Sequence, residues 1–181
     1  MRFVVGLVMA LSLIGAAPAF AAELDPQNTL FMDLTSGRVV IKLRPDLAPR
    51  HVERVKTLVK KGFYDNTPFH RVIEGFMAQG GDPTGTGSGG SDLPDLKAEF
   101  TNTPFKRGTI GAARTDDPDS ANSQFFICFD DASGLTGQYT VWGEVMSGME
   151  FVDKLKKGGG EDGLVDNPDK LVKLQVAADV K

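Results

Sequence analysis

The sequence predicts a mainly β domain, a closed antiparallel barrel capped by two α-helices. Short runs of alternating apolar and polar residues recur along the chain, each bounded by Gly, Pro, Asn or Asp. Only two segments change to a helical spacing, and they stand apart from one another. No repeat or linker divides the chain, and about 160 residues beyond an N-terminal leader suit one domain with its own core.

The elements follow in order. Leu30, Met32 and Leu34 alternate with Phe31 and Asp33, and Val39, Ile41 and Leu43 alternate with Val40 and Lys42. Period two on both sides of Thr35-Ser36-Gly37 reads as a hairpin. Pro49 suits the first turn of a helix and Gly62 its end. Between them Val52, Val55, Leu58 and Val59 share one face, giving about four turns. Strands are expected at Phe69–Ile73, Phe76–Gln79, Thr109–Arg114, Gln124–Phe129 and Thr140–Met146. A second helix over Met149–Lys156 ends at Gly158-Gly159-Gly160, and a last strand runs through Leu171–Ala177.

Residues 1–21 read as a cleaved signal peptide. Arg2 precedes the apolar run Phe3–Ile14, which is too short to span a bilayer, and Ala19-Phe20-Ala21 suits cleavage before Ala22. The domain is then 22–181. Without Arg2 it carries 19 basic and 24 acidic side chains, a net charge of about −5. That balance, with no long basic run, argues against nucleic acid as a partner. No second apolar segment is long enough for a membrane span, so the mature chain is expected to be soluble. It is expected to be an exported monomer, placed in the periplasm ahead of secretion to the medium. The single cysteine, Cys128, excludes an intrachain disulfide and reads as a small buried strand residue.

The densest chemistry lies in Pro68–Asp82. Arg71, Phe76, Met77 and Gln79 put one cation, one amide and two large apolar groups within a few positions, ahead of a glycine turn. There is no Ser or Cys nucleophile and no cluster of metal ligands. Such a site grips an apolar group beside a polar bond, working by hydrogen bonds and shape.

Three segments in order resemble the cyclophilins, the barrel-type peptidyl-prolyl cis–trans isomerases, especially their bacterial periplasmic branch. They are Phe69–Asp82 with its glycine loop, Gly108–Thr115 continuing to Asn122–Ile127, and Leu135–Gly143. The resemblance covers almost all of the mature chain. It implies an eight-stranded cyclophilin-like barrel, no cofactor and no metal. Proline-containing unfolded or extended polypeptides are the implied partners. It makes Arg71 the catalytic donor to the prolyl nitrogen, with Gln79 and Phe76 beside it. Met77, Phe126 and Leu135 complete the proline pocket with Phe76. Gln124, Ala113, Arg114, Thr115 and Gly87 line the peptide groove. From periodicity alone, core packing explains Phe126 and Leu135 equally well. Tyr139 stands where many eukaryotic members carry His, Gly134 where many carry Trp, and Arg114-Thr115 where those relatives carry Asn-Ala. His70 alternates away from Arg71 and is expected to be a structural, hydrogen-bonded histidine near the site. His51 is expected on the surface of the first helix.

Other signals are discounted. Gly85–Gly90 fits G-x-G-x-x-G formally, but no helix start follows. Asp116-Asp117-Pro118-Asp119 lacks the ligand alternation of a calcium loop and reads as a turn. Two rival functions stay open: a proline-peptide-binding chaperone module with little turnover, and a hydrolase acting through His70 and an unseen serine.

Overall fold

The computed structural model describes residues 24–160 and 162–180. The expected leader lies outside the described residues, as does Glu161. Nine strands form one antiparallel sheet: β1 Thr29–Leu34, β2 Gly37–Leu43, β3 Thr67–Pro68, β4 Arg71–Ile73, β5 Met77–Gly80, β6 Thr109–Ala112, β7 Phe125–Cys128, β8 Val141–Ser147 and β9 Lys170–Val176. Their order is β3-β9-β1-β2-β8-β6-β7-β5-β4. The two ends of that order, β3 and β4, are separated in sequence only by Phe69 and His70. They are therefore two parts of one interrupted strand, pairing β9 on one side and β5 on the other, and the sheet closes through it. Counting β3 and β4 as one recovers the expected eight. The interruption has a cause: Phe69 N–H donates to the Asp169 carbonyl and the His70 carbonyl accepts from Val165, outside the regular ladder. Register shifts in the β1–β9, β2–β8 and β6–β8 pairings bend the sheet as bulges do.

The first hairpin follows its pattern. Leu30, Met32, Leu34, Val39, Ile41 and Leu43 are buried in the main core. Gly37 is required there, because a Cβ would lie 2.6 Å from the Phe151 ring. That ring comes from α2, Met149–Val152, which packs against β2. The second helix is thus four residues long, shorter than expected. After an i→i−4 bond from Asp153 N–H to the Met149 carbonyl, the chain coils through Lys154 and Leu155 on i→i−3 bonds, and Lys156 N–H is taken by Asp169.

The first helix, α1 (Pro49–Lys60), packs against β8 and β9 with Val52, Val55, Leu58 and Val59 buried. At 12 residues it is slightly short of four turns. Gly62 follows with φ +66°, the left-handed geometry of a helix stop. Its N-cap, Ala48, offers no side-chain acceptor. Glu99 supplies it from a distant loop, accepting from the Arg50 and His51 N–H groups at 3.1 and 3.0 Å. The same carboxylate lies 2.6 Å from His51 Nδ1. His51 is consequently buried, contrary to the surface position expected from sequence.

Strands β6 and β7 are buried on both faces. Phe125 and Ile127 enter the main core, whereas Phe126 and Cys128 join a second cluster with Met77, Phe105 and Val141. Ile73, Phe76, Leu135 and Tyr139 pack against that second cluster.

Candidate active site

Strand register builds the site. Arg71 pairs with Gln79, Gln79 with Phe126, and Phe126 with Gly111, so one row crosses four strands. The next row pairs Ile73 with Met77 and Met77 with Cys128. Arg71, Phe76, Met77, Gln79, Phe126, Leu135 and Tyr139 line a hollow of about 150 Å³. A tight turn after β4 delivers Phe76, whose N–H donates to the Ile73 carbonyl, with Gly75 at φ +71°. Leu135 comes from the 3₁₀ turn Ser133–Leu135. The Phe126 ring is the floor. Phe105 stacks on it at 5.6 Å, and Tyr139 meets it edge-on at 5.5 Å. Gly111 must be glycine in this row, since a Cβ would come within 2.5 Å of Phe126 and 2.7 Å of Phe105.

Polar groups converge at the rim. Arg71 Nε donates to the Asp162 carbonyl at 2.8 Å, and Nη1 donates to Gln79 Oε1 at 3.2 Å. Gln79 Nε2 donates to Gln124 Oε1 at 2.9 Å. Gln124 Nε2 in turn donates to the Gly87 and Gly89 carbonyls at 3.0 and 2.8 Å. Gln79 also borders a second, larger hollow of about 490 Å³, which Gly87, Ala113, Arg114, Thr115 and Gln124 line. The smaller hollow is the apolar one with the guanidinium at its edge. The larger is a polar groove leading away from it.

Comparison with known proteins agrees. The family model for cyclophilin-type peptidyl-prolyl cis–trans isomerases matches residues 29–177. The chain belongs to the cyclophilin family. A probable peptidyl-prolyl cis–trans isomerase of Brucella suis is 53% identical over 180 residues, spanning 93% of this chain and 91% of its own. One from Helicobacter pylori is 44% identical over 126 residues, covering 67% of this chain and 76% of its own. Among solved structures, a cyclophilin from Hirschia baltica superposes with a TM-score of 0.79 at 28% identity, over 87% of this chain and 77% of its own. A Cryptosporidium parvum cyclophilin crystallised in the presence of the dipeptide Ala-Pro has a TM-score of 0.75 at 26% identity, over 82% and 98% of the two chains. By this membership the protein is an isomerase.

In this cyclophilin every expected pocket and groove residue lies in one of two adjoining hollows that share Gln79. Arg114 has a local anchor: its guanidinium lies 4.6 Å from the Tyr139 ring centre, and Nε donates to the Gln138 carbonyl. At Gly134 a Cβ would meet nothing within 4 Å, so the wall there is open.

His70 lies behind the site and borders neither hollow. It is buried, as expected, but neither ring nitrogen has a hydrogen-bond partner among the described residues, so the hydrogen-bonded reading is corrected. Burial lowers its pKa against the pull of Asp82 and of the Pro68 backbone, with Arg71 adding to the lowering. Among the described residues no serine hydroxyl is hydrogen-bonded to it. Burial pushes the Cys128 thiol up to about 12, consistent with an inert strand residue. Asp119 sits in a turn, accepting from the Ala98 N–H at 2.9 Å.

Sequence reasoning missed three contributors. Phe105, fully buried, backs the pocket floor from outside the motifs. The Asp162 carbonyl is a main-chain group, so residue type carries no signal for it. Asp82 ends the richest motif, yet only its position under the glycine loop gives it a task.

Proposed function

We propose that this cyclophilin accelerates cis–trans rotation of X–Pro bonds in unfolded or extended segments of exported proteins. The observation that carries the reading is the Arg71 guanidinium, fixed at two nitrogens on the edge of an apolar hollow. Rotation about a peptide bond meets a barrier of ~18–20 kcal/mol because resonance stiffens C–N. At the twisted midpoint the prolyl nitrogen becomes pyramidal and regains a lone pair. A guanidinium N–H aimed at that lone pair stabilises the twisted form more than the planar one, which is the requirement for catalysis. Phe76, Met77, Phe126 and Leu135 hold the flat pyrrolidine ring and keep water from it. Gln79 keeps Arg71 aligned and offers an amide to the substrate backbone. Ala113, Arg114, Thr115, Gln124 and Gly87 line the groove for the residues before proline. No bond is made or broken, so these side chains account for the whole step.

The leader at residues 1–21 supports export and a periplasmic site of action. The Ala-Pro dipeptide used with the Cryptosporidium relative supports the substrate class. The reading is tested by two-dimensional exchange NMR on a short Ala-Pro peptide with the chain from Ala22 onward. Interconversion at catalytic concentrations, with shifts at Met77, Gln79 and Phe126, is the expected result. Saturable binding with no acceleration would instead assign the groove to a peptide-binding chaperone module.

A further inference from the structure

The Asp82 side chain is wholly buried and touches neither hollow. Its Oδ1 accepts from the Thr84 N–H and hydroxyl, each at 2.8 Å. Its Oδ2 accepts from the Gly87 and Gly89 N–H groups at 2.7 and 3.1 Å. The glycine loop is wrapped on this carboxylate. At Gly89 a Cβ would fall 2.0 Å from Oδ1, so only glycine approaches that closely.

With their N–H groups turned in, the same two glycines turn their carbonyls out to Gln124. A carbonyl only accepts, so the Gln124 NH2 must face the loop and its oxygen must face Gln79. Gln79 then has to offer its NH2 to Gln124 and its oxygen to Arg71. Reversing either amide would set donor against donor at one of these contacts. Both amides stand as they do because the loop's carbonyls point at Gln124.

We propose that Asp82 is a positioning residue for catalysis: it shapes the glycine loop so that Gln124 holds Gln79 with its side-chain oxygen toward the Arg71 guanidinium. This rests on the reading of Arg71 as the catalytic donor. Asp82 never meets substrate and acts only through three intervening groups.

The test is Asp82→Asn, which keeps the shape but has one acceptor oxygen for four donors. The expected result is a fall in kcat of about tenfold, the scale of one misplaced hydrogen bond, with KM within about twofold. The side-chain NMR signals of Gln79, Gln124 and Arg71 Nε–H shift, while amides of β1, β2 and β9 stay in place. Wild-type kcat, unmoved side-chain signals, or a loss carried wholly by KM would overturn the relay. Should Asp82→Asn fail to fold, Gly89→Ala strains the same contact with the carboxylate retained, and the same readouts decide. Arg71→Ala is measured alongside. Full turnover in that variant would remove the reading beneath the relay. A loss there, with wild-type turnover in Asp82→Asn, would remove the relay alone.

Discussion

Arg71 makes its hydrogen bonds through Nε and Nη1, to a carbonyl and an amide oxygen. Among the described residues its Nη2 has no partner, which leaves donors for a substrate. A planar fork can be held at one edge while another donates; an ammonium cannot. Arg71→Lys is therefore expected to lower kcat by about 10²-fold although the charge is kept. Exchange NMR on an Ala-Pro peptide reads this, and retention of activity would mean that charge alone suffices. Acid acts on other residues. Burial lowers the pKa of His51 against the raising effect of Glu99, and also lowers that of His70. Protons therefore bind more readily to the unfolded chain as pH falls below about 6.5. Stability is full above that point and is lost as pH falls through the lowered folded values. Asp82 follows at lower pH. Burial opposes its ionisation, but hydrogen bonds from Thr84, Gly89 and Gly87 prevail and hold it at about 2 against an ordinary 3.8. Its contribution is present above the ordinary value and lost as pH falls through about 2. Melting curves should show Tm flat from pH 7 to 8 and falling below about 6.5; a Tm that rises on acidification would contradict the buried neutral histidines.

Helix α1 shows what sequence carries about an element and what it omits. Pro49, Gly62 and the spacing of Val52, Val55, Leu58 and Val59 made the helix readable from local chemistry. The burial of His51 was not readable, because its cause is Glu99, which lies 48 residues away along the chain. Glu99→Ala removes the cap from α1 and strands the His51 ring. A loss of about 2 kcal/mol is expected, lowering Tm by about 4–8 °C, with turnover of the folded protein unchanged. An unaltered Tm would show that the cap is dispensable. The segment after α2 gives a second case. Gly163 sits at φ +71°, and a Cβ there would lie 2.4 Å from Ile73 Cγ1. Its neighbour Asp162 supplies the carbonyl that holds Arg71 Nε. Gly163→Ala is expected to lower kcat several-fold by displacing that carbonyl, with circular dichroism unchanged; unchanged kcat would show that Gln79 alone suffices to hold Arg71.

Across the whole molecule, the mainly β fold class was legible because it follows from period two. The pocket was legible only through the family resemblance, since core packing explains the periodicity of Phe126 and Leu135 equally well. Alternation sent His70 and Val72 inward and Arg71 outward, and the same rule put Phe126 under the site while Phe125 and Ile127 filled the core. Closure was not legible in detail. It depends on the bond that Phe69 N–H donates to the Asp169 carbonyl and the one that the His70 carbonyl accepts from Val165 N–H, which divide one expected strand into β3 and β4. The polar relay was hidden for the same reason: Asp82, Gln124 and Asp162 are remote in sequence from one another. The most direct measurement of the central claim compares native protein with Arg71→Ala, both verified as folded, in exchange NMR of an Ala-Pro peptide from pH 6 to 8. The expected result is fast interconversion that hardly changes across that range and falls by about 10²-fold in the variant. Equal rates for the two proteins, or a bell-shaped dependence on pH, would contradict an isomerase working through Arg71.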